Sequence, residues 1–361
     1  MQSDPIRGGQ RLGAYIVEDP VGEGAMARVY RARHADTGDE VALKVLHPEV
    51  AKDKVAVERF RREYETAKSL SHERIVEVLD FGETGDGSYF MTMEYLEGQG
   101  LGLVLQKEGA LEPARVVRIL CQLALGLHHA HADGVIHRDL KPDNIFVCAG
   151  EGGDEILILD FGSVKLQAVS GQKLTALGMT LGSPYYMSPE QAMGKLDVDQ
   201  RTDVFALAAI LHELATGQVA FGGDNVAEIL MKIVAEEPPP VSASNHAYPW
   251  AFDDVVRKGL HKDKTTRFGN AVELAEAMLR ALALDADVEK WARSSEHVLR
   301  NALVNPPNTT DVASLPPMAD PTSNPTNILP PLPRRSSLWI SVLTGVLMIL
   351  AVVATAWVVL S

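Results

Sequence analysis

Residues 137–144 read His137-Arg138-Asp139-Leu140-Lys141-Pro142-Asp143-Asn144, and sixteen positions after Asn144 an apolar run over 156–159 leads into Asp160-Phe161-Gly162. The elements on either side of this stretch fix the fold class. Beyond Pro113 the pattern is mainly helical, and residues 204–214 are apolar nearly all round, which implies a helix buried at the centre of its lobe. Thr202 or Asp203 is expected to cap its start and Gly217 its end. On the N-terminal side, residues 15–22, 28–34 and 41–46 alternate as strands, with Thr37-Gly38-Asp39 as a turn. A helix follows, marked by Val57, Phe60, Tyr64, Ala67 and Leu70 at three- and four-residue steps. Residues 76–81 and 89–94 complete a small antiparallel sheet. A strand-rich part is thus followed by a helix-rich part, with residues 137–162 inside the second.

Gly22-Glu23-Gly24-Ala25-Met26-Ala27 lies between the first two strands, with Val29 just beyond. Glycines there let backbone amides approach a polyphosphate, although an ordinary glycine-rich hairpin carries the same signature. Lys44 closes Val41-Ala42-Leu43-Lys44, a lysine inside an apolar strand, where an ammonium needs an anionic partner. Glu63, on one helix face with Phe60 and Ala67, offers that partner, and a purely structural ion pair fits the same pattern.

In this order and strand context, over residues 12–282, the motifs resemble the eukaryotic-type (Hanks-type) serine/threonine protein kinases, in particular the bacterial membrane-tethered members. The resemblance implies an α+β, bilobal protein-kinase-like fold, a small antiparallel β-sheet lobe plus a mainly helical lobe, with a C-terminal transmembrane helix. It implies ATP and Mg²⁺, with Mn²⁺ as a substitute. Lys44 would hold the α- and β-phosphates and be fixed by Glu63. Asn144 and Asp160 would supply oxygens to the metal. Asp139 would orient the substrate hydroxyl and accept its proton. Lys141 would steady the γ-phosphate, as in serine/threonine members. Val21, Gly22, Gly24, Val29 and Ala42 would surround the nucleotide, and residues 93–96 would link the lobes. In that strip Met93 lines the site, and the backbone groups of Glu94 and Leu96 face adenine.

Residues 163–187, ending in Gly182-Ser183-Pro184-Tyr185-Tyr186-Met187 before Ser188-Pro189-Glu190, resemble the activation segment and its anchor. Glu190 would pair with Arg267, and Asp203 would support the 137–144 loop. A phosphate on Thr175 or Thr180 would pair with Arg138 and order the segment. Two positions depart from the family pattern. Ala27 stands at the third glycine of the phosphate loop, where its Cβ restricts how the backbone folds over the nucleotide. Ser183 replaces a frequent threonine and keeps the hydroxyl.

The 361 residues carry 34 basic and 48 acidic side chains, a net charge of −14 that argues against nucleic-acid partners. Two cysteines, Cys121 and Cys148, fit a reduced, cytoplasmic protein. The polar N-terminus shows no signal peptide. Residues 305–337 hold nine of the 20 prolines and read as an extended juxtamembrane linker. The 23 residues 338–360 hold no charge and would span roughly 35 Å as a helix, more than the ~30 Å of hydrocarbon. Trp339 and Trp357 fall near the two interfaces, and Arg334 and Arg335 put the preceding side in the cytoplasm. With only Ser361 beyond, no external domain is expected. Val288, Trp291, Ser295, Val298 and Ala302 mark a helical extension over 283–304, either packed on the domain or paired with another copy.

Other signals are weaker. His128, His129, His131 and His137 suggest a metal cluster, but only His128 and His131 share a helix face. Asp197 and Asp199 fit a solvated loop. Ser341 and Gly345 form a small-residue step that hints at a homodimer in the bilayer. The expectation is therefore a single-pass membrane protein with a cytoplasmic kinase domain that phosphorylates protein Ser/Thr residues and itself. A nucleotide-binding pseudokinase scaffold and a small-molecule phosphotransferase are the alternatives. The intact Lys44, Asp139, Asn144 and Asp160 speak against the first, and the 182–190 segment against the second.

Overall fold

The computed structural model describes residues 6–84, 87–161 and 184–305. The expectations for Gly162, Thr175, Thr180, Ser183, the linker from 306 and the span at 338–360 fall outside them.

The N-terminal lobe runs β1 (Arg11–Leu12), β2 (Tyr15–Glu23), β3 (Ala27–His34), β4 (Glu40–Leu46), α1 (Pro48–Ala51), α2 (Lys54–Ser69), β5 (Val78–Glu83) and β6 (Tyr89–Glu94). All strand pairs are antiparallel, in the order β1-β2-β3-β4-β6-β5. Alternation along β4 assigns its side chains to two faces. Val41, Leu43 and Val45 join Tyr15, Tyr30 and Phe90 in one apolar cluster, while Leu46 joins Phe60 and Ala67 of α2 in another. Lys44 shares the parity of Leu46, so the strand itself aims it toward α2. That helix starts at Asp53, whose carboxylate accepts from the Val55 amide at 2.9 Å.

The C-terminal lobe holds β7 (Gly98–Gly100), α3 (Leu101–Glu108), α4 (Pro113–Ala132), β8 (Ile145–Gly150) and β9 (Gly153–Ile158). Then come α5 (Pro189–Ala192), α6 (Arg201–Thr216), α7 (Val226–Ala235), α8 (Val241–Ser244), α9 (Trp250–Gly259), α10 (Ala271–Ala281), α11 (Val288–Arg293) and α12 (Glu296–Val304). Helices α4 and α6 are the axis of its core, and β7-β8-β9 forms a second small sheet. Gly217 ends α6 at φ 71°, the left-handed cap expected of it.

Two details differ from the sequence reading. Neither Thr202 nor Asp203 caps α6, which starts after Gln200 without a side-chain cap. Both are fully buried and find interior partners instead, Thr202 on Glu190 and Asp203 on the 137–138 backbone. The C-terminal extension is two helices rather than one. Ser295 caps α12 and shifts the helical phase, so Leu299 is buried while Val298 is half exposed. Val288, Trp291 and Ala292 pack into the main core, so the extension lies on its own domain.

Candidate active site

The two lobes meet at a cleft of about 600 Å³. Its upper wall is the β2-β3 turn with Gly22, Gly24 and Val29, and its lower wall holds Asp139, Lys141, Asn144 and Asp160. At the back, Lys44 Nζ lies 2.6 Å from Glu63 Oε1 and 2.8 Å from Asp160 Oδ1. Burial works to lower the lysine pKa, but the charges of Asp160 and Glu63 outweigh it and hold it above the ordinary value. Burial also disfavours the charged form of Asp160, yet the adjacent ammonium keeps its pKa below normal. For Glu63 burial prevails and the pKa is raised. One cation between two carboxylates leaves a net negative group aimed at the cleft, the electrostatic condition for a metal cation.

The lower wall is a network of short hydrogen bonds. Lys141 Nζ donates to Asp139 Oδ2 at 2.7 Å, and Asn144 Nδ2 donates to the Asp139 carbonyl at 2.8 Å. That contact turns the Asn144 Oδ1 away as the oxygen a cation would take. The loop is held from below by Asp203, which accepts from the His137 and Arg138 amides, each at 2.8 Å, and contacts His131 Nε2 at 2.8 Å. Burial acts to raise the Asp203 pKa, and His131 and the backbone donors lower it below the usual range. Arg138 and Asp160 sit at φ 65° and 54°, left-handed conformations that only such over-determined surroundings sustain. The His137 ring packs edge-on against the buried Phe161 at 4.8 Å, fixing the turn after Asp160.

The remaining expected residues do not line this space of about 600 Å³. Val21 is half exposed on β2. Ala42 pairs with Met93 across β4 and β6, and Glu94 exchanges backbone contact with Glu77, while its carboxylate accepts the Glu77 amide at 2.8 Å. Leu96 follows as a half-buried residue beyond β6. Arg59, Phe60, Leu46 and Asp143 also line the cleft and were not singled out from sequence. The signal was available for Arg59, one helical turn before Glu63, and for Leu46, two residues beyond Lys44 on the same strand face. Of the histidines, His131 and His137 serve Asp203 and the Leu159 carbonyl, and His129 stacks on His72 at 4.8 Å.

A model of the protein kinase domain family matches residues 15–280. The chain belongs to the protein kinase family. This kinase is 37% identical over 328 residues to serine/threonine-protein kinase pkn3 of Myxococcus xanthus, covering 90% of this chain and 55% of that one. It is 36% identical over 280 residues to serine/threonine-protein kinase PrkC of Bacillus subtilis, covering 77% and 42%. The crystal structure of the Mycobacterium tuberculosis PknI kinase domain matches with a TM-score of 0.60 and 31% identity, covering 76% of this chain and 99% of that domain. The chain spans about half the length of the curated relatives it matches. Membership carries the bilobal fold and the use of ATP with a divalent metal.

Ala27 is the one departure the structure explains. It begins β3, opposite Leu46, with its methyl buried among Phe60, Ala67 and Met91, so this position needs a side chain and no positive φ. The nucleotide-facing bend is made by Gly24, whose amide donates to the Ala27 carbonyl at 2.9 Å. Ala27→Gly is expected to cost about 1.5 kcal/mol, from one buried methyl and added backbone freedom. It should leave nucleotide affinity within about threefold, or about 0.7 kcal/mol, measured by thermal denaturation and ATP titration, because the Ala27 methyl belongs to the apolar cluster and the bend is made by Gly24.

Proposed function

We propose that the protein is a membrane-anchored serine/threonine kinase that transfers the γ-phosphate of ATP to hydroxyls of protein substrates, itself included. The observation that carries this reading is one cleft in which Lys44, fixed by Glu63 and Asp160, faces Asp139, Lys141 and Asn144. Phosphoryl transfer asks little covalent work of a protein beyond positioning and charge neutralisation. Lys44 and Lys141, both lining the cleft, would bind phosphate. Asp139 would orient a serine or threonine hydroxyl and take its proton. Asp160 and Asn144 offer the hard oxygens that Mg²⁺ prefers, and Mn²⁺ would fit the same donors. Bound there, the metal supplies charge neutralisation on the phosphate oxygens. Against the pseudokinase scaffold stand the intact Lys44, Asp139, Asn144 and Asp160, with Ala27 as the one residue that points toward it.

Arg138 Nε is buried and has no partner among the described residues, which supports a phosphothreonine, at Thr175 or Thr180, as its anion. The anchor rests on the uncharged sequence 338–360 with Arg334 and Arg335 before it, which puts the kinase domain in the cytoplasm. Among the described residues no helix is long and apolar enough to cross a membrane. Ser341 and Gly345 would be the contact of a homodimer.

The test is the full chain in lipid vesicles with γ-labelled ATP and Mg²⁺. Label is expected on serine and threonine, with Thr175 or Thr180 among the sites, and the protein should stay with the vesicles through an alkaline wash. No label with Mg²⁺ or Mn²⁺ overturns the kinase reading. Label that avoids both threonines overturns the role of Arg138, and release by the wash overturns the anchor.

A further inference from the structure

Residues 70–77, between α2 and β5, belong to neither lobe alone. Leu70, the C-cap of α2, and Ile75 are buried in the core of the C-terminal lobe, although α2 itself packs on the N-terminal sheet. The loop is also spliced onto the end of β9. The Ile158 amide donates to the Arg74 carbonyl at 2.9 Å, and the Val76 amide to the Ile158 carbonyl at 3.1 Å. Ile158 stands two residues before Asp160, and the loop begins where the helix bearing Glu63 ends. Both carboxylates that hold Lys44 are therefore positioned from this one segment.

Helices α11 and α12 hold it from outside. Arg293, the last residue of α11, pairs with Glu73 at 3.1 Å. The adjacent Arg74, nearly buried, donates to Gln122 at 2.6 Å and pairs with Glu155. Glu155 is shared with Arg118, whose guanidinium also donates to the Asp154 carbonyl at 2.9 Å and to the Ser294 carbonyl between the two helices. Glu296 completes the link, its amide donating to the Gly152 carbonyl at 2.8 Å and its carboxylate accepting from the Asp154 amide at 3.3 Å. Gly126 of α4 permits the close approach, since a Cβ there would lie 3.1 Å from Arg74 Cβ and 2.9 Å from Ile158 Cδ1. The contacts run from the C-terminal helices to Glu73, Arg74, Val76 and Ile158, and from there the backbone leads through α2 to Glu63 and along the end of β9 to Asp160.

We propose that α11 and α12 are a positioning brace for phosphotransfer, in which Arg293 acts on Glu73, and Ser294 through Arg118, to keep residues 71–76 where Glu63 and Asp160 meet Lys44. The rate effect rests on the kinase reading; the geometric effect does not. Arg293 and Glu73 are both substantially exposed, with side chains 62% and 47% accessible, so reversing Arg293 leaves the core intact, whereas reversing Glu73 also removes a second partner, at 3.7 Å, from Arg74.

The test compares Arg293→Glu, Glu73→Arg and the double exchange in the full chain, by kcat for phosphotransfer and by amide hydrogen exchange. Arg293→Glu should lower kcat about fivefold and Glu73→Arg somewhat more, since it also sets a cation beside Arg74, and the exchange of charges should bring kcat back to within about threefold, a coupling of the size seen between contacting residues. In the single variants the amides of 72–76 and 158–160 should exchange about tenfold faster while those of 204–214 do not change. Singles equal to the wild type in both readouts, a double variant no better than the singles, or exchange that rises uniformly would each overturn the brace. A wild-type chain with no phosphotransfer counts against the kinase reading alone, and the exchange pattern then still decides the brace.

Discussion

Asp139→Asn is expected to lower kcat about 10³-fold while leaving ATP affinity within about threefold, because proton acceptance by a placed carboxylate contributes roughly 10²–10⁴. The carboxamide has the same shape, so the Asn144 bond to the residue 139 carbonyl survives and the loop keeps its conformation. What disappears is the negative charge that holds Lys141 at 2.7 Å and, on the proposed reading, the lone pair that would take the hydroxyl proton. Lys44, Glu63 and Asp160 are untouched, which is why nucleotide binding should persist. Single-turnover transfer and ATP titration separate the two effects. A loss of under tenfold would remove Asp139 from its assigned role.

Arg267→Ala should cost about 4 kcal/mol, because it strips the partner from a buried charge. Arg267 is fully buried and places every donor of its guanidinium. Nη1 and Nη2 reach the two oxygens of Glu190, each at 2.8 Å, while Nε reaches the His261 carbonyl at 2.7 Å. Further bonds go to the Arg201 and Lys262 carbonyls, and the Phe205 ring lies 5.0 Å below the plane. Truncation leaves Glu190 with Thr202 as its remaining side-chain partner and three carbonyls short of a donor. The melting temperature should drop by about 8 °C, at roughly 2 °C per kcal/mol for a domain of this size. Lysine should not rescue it, since one ammonium cannot span both carboxylate oxygens.

The pair also sets a pH dependence. Burial works to raise the Glu190 pKa, and Arg267 more than reverses this, holding it below the ordinary 4.5. A depressed folded-state pKa gives stability that is fully present above 4.5 and is lost as the pH falls below it through the folded-state value. In Arg267→Ala that acid-side loss should shrink, which urea titrations between pH 6 and the acid limit would register.

The site was legible because its parts are short and local. The glycine turn, Lys44 on an alternating strand, the 137–144 loop and Asp160 after an apolar run each carry their signal within a few residues. Glu63 followed from helical spacing, and the Glu190–Arg267 pair and the support from Asp203 followed from the family pattern. What remained hidden depends on contacts distant in sequence. Arg118 sits in the apolar helix α4, and nothing near it announces that its guanidinium reaches Glu155 and Ser294. Thr202 and Asp203 have the composition of caps, and only burial in the assembled lobe diverts them inward. The helical phase of 288–302 misled because Ser295 restarts the helix midway.

Because α2 packs on one core while its C-cap Leu70 is held in the other, the helix is a lever. Leu70, at its end, is fixed in the C-terminal lobe, and Glu63 lies seven residues up the shaft, about 10 Å at 1.5 Å per residue. A rotation of only about 10° around that pivot carries Glu63 through about 2 Å, enough to part it from Lys44, given the length of a charge-assisted hydrogen bond. A tilt of that size would therefore part Glu63 from Lys44 without disturbing the packing of either lobe.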